Sequence, residues 1–141
     1  MKAKNENGVW LTSDGKKTNF TLEETACRCG CGTNEMQQDL IDTIQACREM
    51  LGKPMTVTSG YRCAAHNSAI GGAPKSKHAE GTAIDIIQPG MSGAELYQAL
   101  NACGVKIGAL IRYEGQRNVH LDTRETKVRL EKTKQGFWIT L

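Results

Sequence analysis

The spacing of apolar residues predicts two principal helices. An apolar stripe with helical periodicity runs through residues 34–51 and ends at Gly52. Asn34 stands where the N-cap of this helix is expected. Ser92 and Glu95 form a capping-box pattern in front of a second apolar stripe, which predicts another helix. Both helices are expected to turn an apolar face toward the core.

Strand patterns occupy much of the remaining chain. β-Branched or alternating segments predict strands at residues 55–59, 82–87, 105–113, 118–122 and 137–141. Residues 114–117 are the expected hairpin turn between two of these strands. In the strand at 118–122, the period of two places His120 and Asp122 on one face. The elements together predict a single α+β domain over residues 1–141, with a mainly antiparallel sheet packed against helices.

The composition is typical of a folded domain. Of the 141 residues, 39% are hydrophobic and 23% are charged, and no apolar run reaches the roughly 18 residues that a membrane span needs. The net charge of +3 comes from basic residues that have no aromatic residues between them, which favours a solvated strand face over a nucleic-acid surface. We therefore expect no nucleic-acid partner. We also expect a monomer. The chain starts without the apolar segment of a secretory signal, so we expect synthesis in the cytoplasm.

Six cysteines are many for a cytoplasmic product, and three of them crowd into Cys27, Cys29 and Cys31. Adjacent members of such a run do not pair easily, so a disulfide would have to reach one of the other three cysteines. The spacing also differs from the C-x2-C of a zinc ribbon. Three alternatives stay open: partly buried thiols, one or two disulfides formed after release to an oxidising exterior, and a structural metal.

Two of the three histidines belong to a candidate metal site. Asp85 lies in the middle of an otherwise apolar strand, where a carboxylate needs a cation or hydrogen-bond donors. Zinc accepts imidazole nitrogen and carboxylate oxygen, and a catalytic zinc keeps three protein ligands and one open position. His78, Asp85 and His120 supply such a set. A hydrogen-bonded Asp85 without a metal is the alternative.

Two segments resemble a known family. Residues 58–86, TSGYRCAAHNSAIGGAPKSKHAEGTAIDI, resemble the SGYR...HN...GG...S-x-H-x-x-G-x-A-x-D signature of the zinc D-Ala-D-Ala carboxypeptidases. Residues 119–124, VHLDTR, resemble the second signature of that family, H-x-D. The lead-in FTLEETACRCGCG is similar to small bacterial and phage members, so the resemblance covers residues 20–124. It implies the Hedgehog/DD-peptidase fold, one Zn2+ per chain and peptidoglycan stem peptides as the partner.

The resemblance also implies roles for individual residues. It makes His78, Asp85 and His120 the zinc ligands, and it makes Arg62 and Ser76 site residues. A guanidinium such as that of Arg62 clamps a substrate carboxylate or stabilises a developing oxyanion, with a structural salt bridge as the alternative.

Other roles rest on weaker patterns. His66 is predicted to lie behind a ligand or to face the substrate, with a surface position as the alternative. Several relatives carry an acidic general base three residues before the last zinc histidine, but Arg117 occupies that position here. Asp122 is our first choice for the base because it shares a strand face with His120, and Glu114 is the second.

The sequence therefore predicts a zinc peptidase that cuts a D-Ala-containing cross-link or terminus, or the L-Ala–D-Glu bond, of peptidoglycan. A metal-stabilised module that binds wall peptides without turnover is the alternative. We expect the protein to act on the cell wall after release from the cytoplasm, as an endolysin or virion-associated lysin does.

Overall fold

Four helices and nine strands build the protein, whose computed structural model describes residues 1–141. The elements follow in the order β1 (Asn5–Glu6), β2 (Val9–Leu11), β3 (Lys17–Thr21), α1 (Leu22–Thr25), α2 (Gln38–Leu51), β4 (Thr56–Ser59), α3 (Ala64–Ala69), β5 (Ala83–Ile87), α4 (Gly93–Ala102), β6 (Ala109–Tyr113), β7 (Val119–Asp122), β8 (Val128–Lys132) and β9 (Trp138–Thr140). This content confirms the predicted α+β class. None of the four helices combines the length and the apolar character that crossing a bilayer requires.

The larger sheet has six strands in the order β4-β5-β7-β6-β8-β9. All of its pairs are antiparallel except β6 with β8, which run parallel. The first three strands form a separate antiparallel sheet near the N-terminus. Strands β5 and β7 therefore lie inside the larger sheet, each paired on both sides.

The two faces of β5 and β7 have different surroundings. Ile84 lies opposite Leu121 in the register, and both side chains are fully buried in the hydrophobic core. Helices α2 and α4 contribute to the same core with Leu40 and Leu100, as their apolar stripes predict. The next pair in the register, Asp85 and His120, points to the opposite face because side chains alternate along a strand. The core thus fixes which residues reach the second face.

Several element boundaries differ from the prediction. Helix α2 begins at Gln38, because the amide of Asn34 donates to the carbonyl of Leu22 at 2.7 Å and to Oγ1 of Thr25 at 3.1 Å instead of capping the helix. The strand predicted at 105–113 is reduced to β6. The capping box of α4 is confirmed: the Glu95 amide donates to Oγ of Ser92 at 3.1 Å, and the Ser92 amide donates to Oε1 of Glu95 at 2.9 Å.

Candidate active site

Asp85 and His120 face each other across the β5–β7 pair. Nδ1 of His120 lies 3.1 Å from Oδ1 of Asp85, and both residues are buried. The contact follows from the register, in which Asp85 and His120 are direct cross-strand partners on the face opposite the core. The sheet therefore sets the position of two of the three candidate ligands.

His78 approaches the same carboxylate from the turn that leads into β5. Its Nε2 lies 3.2 Å from Oδ1 of Asp85. Gly81 makes this turn possible, since its φ of +76° is a left-handed conformation and a Cβ there would collide with the carbonyl oxygen of Glu35. The amide of Arg62 donates to the His78 carbonyl at 3.2 Å and ties the turn to the segment that follows β4.

Each histidine has a fixed partner on its other ring nitrogen. Nδ1 of His78 donates to the carbonyl of Gly60 at 2.8 Å, which leaves Nε2 to face Asp85. Nε2 of His120 lies 2.8 Å from Oδ2 of Asp122 and donates to it, which leaves Nδ1 to face Asp85. Histidines that bind a metal have the same arrangement, in which the second nitrogen is held by a carbonyl or a carboxylate.

The three side chains fit a zinc ion. One ligand atom from each of His78, Asp85 and His120 lies within 4.8 Å of the others. Two imidazole nitrogens and one carboxylate oxygen form a donor set that zinc accepts, with a fourth position left for water or substrate. Their buried, oriented arrangement favours a metal site over a simple hydrogen-bonded carboxylate.

The electrostatics of the cluster suit a cation. Burial opposes the charge on Asp85, but hydrogen bonds from His120 and His78 hold the pKa of this carboxyl well below its usual range. Burial also works against a charged His120, yet hydrogen bonds to Asp122 and Asp85 raise its pKa to about 9. A cation bound between Asp85 and Nδ1 of His120 would take the place of a proton on that nitrogen.

A cavity of about 460 Å³ opens onto these three residues. Asp85 is the only acidic side chain in its lining. Five cationic side chains line it as well, namely Arg62, Lys75, Lys77, Arg124 and Lys132. Clefts lined mostly by one sign of charge concentrate ligands of the opposite sign, so this cavity attracts anionic substrates.

Comparison with known families shows to which family the chain belongs. The sequence profile of the family described as Peptidase M15 matches residues 17–122, which include all three candidate ligands. The chain belongs to the Peptidase M15 family. It is therefore a metallopeptidase, and the zinc dependence of this family agrees with the donor set around Asp85. No curated protein matches the chain.

Arg62 and Ser76 lie beside the candidate ligands of this M15 peptidase. The guanidinium of Arg62 lines the cavity, with Nη2 3.9 Å from Oδ2 of Asp85 and Nη1 within 3.4 Å of Oδ1 of Asn67. Oγ of Ser76 accepts from the amide of His78 at 3.2 Å, so Ser76 holds the backbone of a candidate ligand. The structure thus brings together five of the residues that the sequence indicated.

Two other predicted residues lie elsewhere. His66 is half-buried on α3 and does not line the cavity. Glu114 directly follows β6 and is exposed; its Oε1 accepts from the amide of Lys134 at 2.8 Å, and it does not line the cavity. The predicted substrate contact of His66 and base role of Glu114 therefore have no support from this arrangement.

Asp122 lies behind His120 rather than in the cavity. Its side chain is fully buried, and it is not part of the cavity lining. Nε and Nη2 of Arg124 donate to its two oxygens at 2.6–3.1 Å, and the Ala109 amide donates to Oδ1 at 3.2 Å. Burial opposes the charge on Asp122, but hydrogen bonds from His120 and Arg124 keep its pKa well below the usual range. This geometry favours orientation of His120 over general base catalysis.

Tyr113, Lys132 and Trp138 are among the cavity residues that the sequence did not indicate. Burial raises the pKa of Tyr113 to about 12, so its hydroxyl stays protonated and able to donate. The β6–β7 register gives the signal for Tyr113, because Ile111 lies opposite His120 and Tyr113 follows on the same face. Lys132 and Trp138 come from β8 and β9, with the ammonium 5.3 Å from the indole centroid. Nothing in the sequence pattern placed these two strands beside the site.

Proposed function

We propose that the protein is a zinc-dependent peptidoglycan peptidase that hydrolyses a peptide bond in the stem peptide or its cross-link, of the D-Ala-D-Ala carboxypeptidase or endopeptidase type. The observation that carries the proposal is the set of His78, Asp85 and His120 in the lining of a cationic cavity in an M15 peptidase. Stem peptides carry free carboxylates, which suit that charge.

The chain's own residues have separate tasks in this proposal. Zinc held by the three ligands would polarise the scissile carbonyl and lower the pKa of water toward 7. Arg62 binds a carboxylate of the substrate or the oxyanion that develops at the scissile bond, because its guanidinium donates two parallel hydrogen bonds. Asp122 keeps Nδ1 of His120 directed at Asp85 and thus acts as a positioning residue.

One observation favours the second candidate function, a wall-peptide-binding module without turnover. Apart from the ligand Asp85, no acidic side chain lines the cavity, so a carboxylate base is missing from it. Tyr113 and the cationic side chains would still hold an anionic peptide there.

The proposed site of action is the cell wall, since the proposed substrate lies outside the cytoplasmic membrane. The protein would reach it after release from the cytoplasm, in the manner of a phage endolysin or virion-associated lysin.

Digestion of purified peptidoglycan, with the new termini identified by mass spectrometry, tests the proposal. We expect new peptide termini with the wild type, none after chelation or in His78→Ala and Asp85→Ala, and recovery when Zn2+ is added back to the chelated wild type. Ser68→Ala, an exposed change on α3, is the matched control and should keep full activity. Binding of stem peptide without new termini would instead support the non-catalytic module, and hydrolysis by metal-free wild type would refute the zinc mechanism.

A further inference from the structure

Four of the six cysteines meet at one point outside the active-site cavity. The sulfurs of Cys27, Cys29, Cys31 and Cys63 all lie within 4.8 Å of one another. The cavity that opens onto Asp85 includes none of them in its lining. We propose that these four thiolates hold a second metal ion, a structural Zn2+.

The distances between the sulfurs match a tetrahedral zinc site. A Zn–S bond is about 2.3 Å long, which places the corners of the tetrahedron about 3.8 Å apart. Sγ of Cys29 lies 3.4 Å from Sγ of Cys27 and 3.6 Å from Sγ of Cys63. A disulfide would need about 2.0 Å between two of the sulfurs and would leave the other two without a role. The convergence of all four sulfurs favours a metal over either disulfides or independent thiols.

Two glycines allow the C-x-C-x-C run to converge. Gly30 and Gly32 have φ angles of +81° and +80°, left-handed conformations that other residues rarely adopt. In an extended strand, alternate residues would lie about 6–7 Å apart along one face and their sulfurs could not close around one ion. The amide of Cys27 also donates to the carbonyl of Thr33 at 3.3 Å, which closes the loop around the three cysteines.

Backbone donors point at the sulfurs. The amide of Cys63 donates to Sγ of Cys27 at 3.3 Å, and the amide of His66 donates to Sγ of Cys63 at 3.4 Å. Hydrogen bonds from backbone amides stabilise metal-bound thiolates and orient them toward the ion. These two amides would therefore stabilise the metal-bound thiolates of Cys27 and Cys63.

The ligand set also indicates which metal and what role. Four thiolates in a tetrahedron select zinc or iron, and a closed set of four protein ligands is typical of a structural zinc rather than a catalytic one. Cys63 directly follows Arg62, and the amide of Tyr61 donates to the carbonyl of Thr25 at 2.9 Å. The second ion would thus fasten the α1–α2 connection to the segment that carries Arg62.

Metal counting separates the two sites. We expect two Zn2+ per chain in the purified wild type by native mass spectrometry with elemental analysis, one in Cys29→Ser/Cys63→Ser and one in His78→Ala/His120→Ala. Cys103→Ser, a cysteine outside the cluster, is the matched control and should keep both. If His78→Ala/His120→Ala contains no zinc at all, the proposal is overturned. Iron bound at the cysteine site would overturn the choice of zinc. One Zn2+ retained in His78→Ala/His120→Ala would support the cysteine site even if the peptidase proposal fails.

Measurements on the wild type test the proposal even if the cysteine variants fail to fold. A mercurial reagent added stepwise to the folded protein should release one Zn2+ to a metallochromic indicator as four thiols react. Co2+ in place of zinc should give the intense charge-transfer absorption of thiolate ligands. Two disulfides among these four cysteines would lower the intact mass by four hydrogens relative to the reduced chain. That result would contradict the proposal.

Discussion

At the scale of single residues, His120 connects the two parts of the site, because its two ring nitrogens face two different carboxylates. Nδ1 faces Asp85 at 3.1 Å, and Nε2 faces Asp122 at 2.8 Å. Asp122 is in turn held by the fork of Arg124. Such outer carboxylates raise the basicity of a metal-binding histidine and fix its ring.

Asp122→Asn should therefore weaken binding of zinc at the His78–Asp85–His120 site about 10–100-fold, the usual cost of losing an outer-layer partner. Competition with a chromophoric chelator measures this loss. With the site saturated by zinc, kcat should stay within a few-fold of the wild type. A kcat that drops by about 10²-fold or more at saturating zinc would restore the base role of Asp122. Glu125→Gln makes the same acid-to-amide change at an exposed position nearby and should alter neither quantity.

Arg62→Lys should not behave as a conservative change. The guanidinium is pinned by Asn67 and Ser59 near Asp85, and a lysine ammonium offers no planar pair of donors. We expect kcat/KM to fall about 10-fold or more, the value of a charged hydrogen bond. A rise in KM that amidation of the substrate terminus reproduces would assign Arg62 to the terminal carboxylate, whereas a fall in kcat would assign it to the oxyanion. Unchanged kcat and KM would mean that Arg62 contacts neither the substrate carboxylate nor the oxyanion. Arg117→Lys makes the same change at an exposed position and is the control.

At the scale of elements, sequence patterns predicted what depends on local periodicity. Alternation along β7 placed His120 and Asp122 on one face, and the capping box located the start of α4. The parallel β6–β8 pair and the small N-terminal sheet escaped prediction because their pairing is decided by contacts distant in the chain. The convergence of the cysteines escaped for the same reason, since Cys63 is 34 residues from Cys29.

The turn before β5 offers a test of how tightly an element fixes a ligand. Gly81→Ala should destabilise the protein by several kcal/mol, because a left-handed alanine costs about 1–2 kcal/mol and its Cβ would also collide with the Glu35 carbonyl. Gly71→Ala is the matched control: its φ of +73° is similar, but a Cβ there meets nothing within 4 Å. Urea unfolding should give a clearly larger loss for Gly81→Ala. Equal losses would mean that the close approach to Glu35 carries no energetic weight.

At the scale of the whole molecule, the cavity is completed by strands beyond the family match. The match to Peptidase M15 ends at residue 122, whereas Lys132 and Trp138 come from β8 and β9. The candidate ligands thus lie in the shared part of the chain, and one wall of the cavity lies outside it. Differences in substrate preference are expected to arise from that wall.

Trp138→Ala tests this division. The indole is half exposed at the cavity and stacks near the Lys132 ammonium, so we expect KM for stem peptide to rise about 3–10-fold, the value of one aromatic contact, with kcat unchanged. Phe137→Ala removes a neighbouring, more exposed aromatic side chain that does not line the cavity, and it should leave KM unchanged. A fall in kcat for Trp138→Ala would place the indole among the reacting groups instead.

The three candidate ligands His78, Asp85 and His120 differ in how firmly the fold anchors them. Asp85 and His120 lie in strands with ladder neighbours on both sides, whereas His78 lies in a turn. Backbone amides in central strands exchange with deuterium only when the whole domain unfolds, while turns open locally. We expect the amides of β5 and β7 to exchange slowest and those of residues 77–81 to exchange earlier, and chelation to accelerate only the turn. Zinc held by these residues would then dissociate in a fixed order, in which local opening of the turn detaches His78 first. Asp85 and His120 would stay in place and could bind another ion.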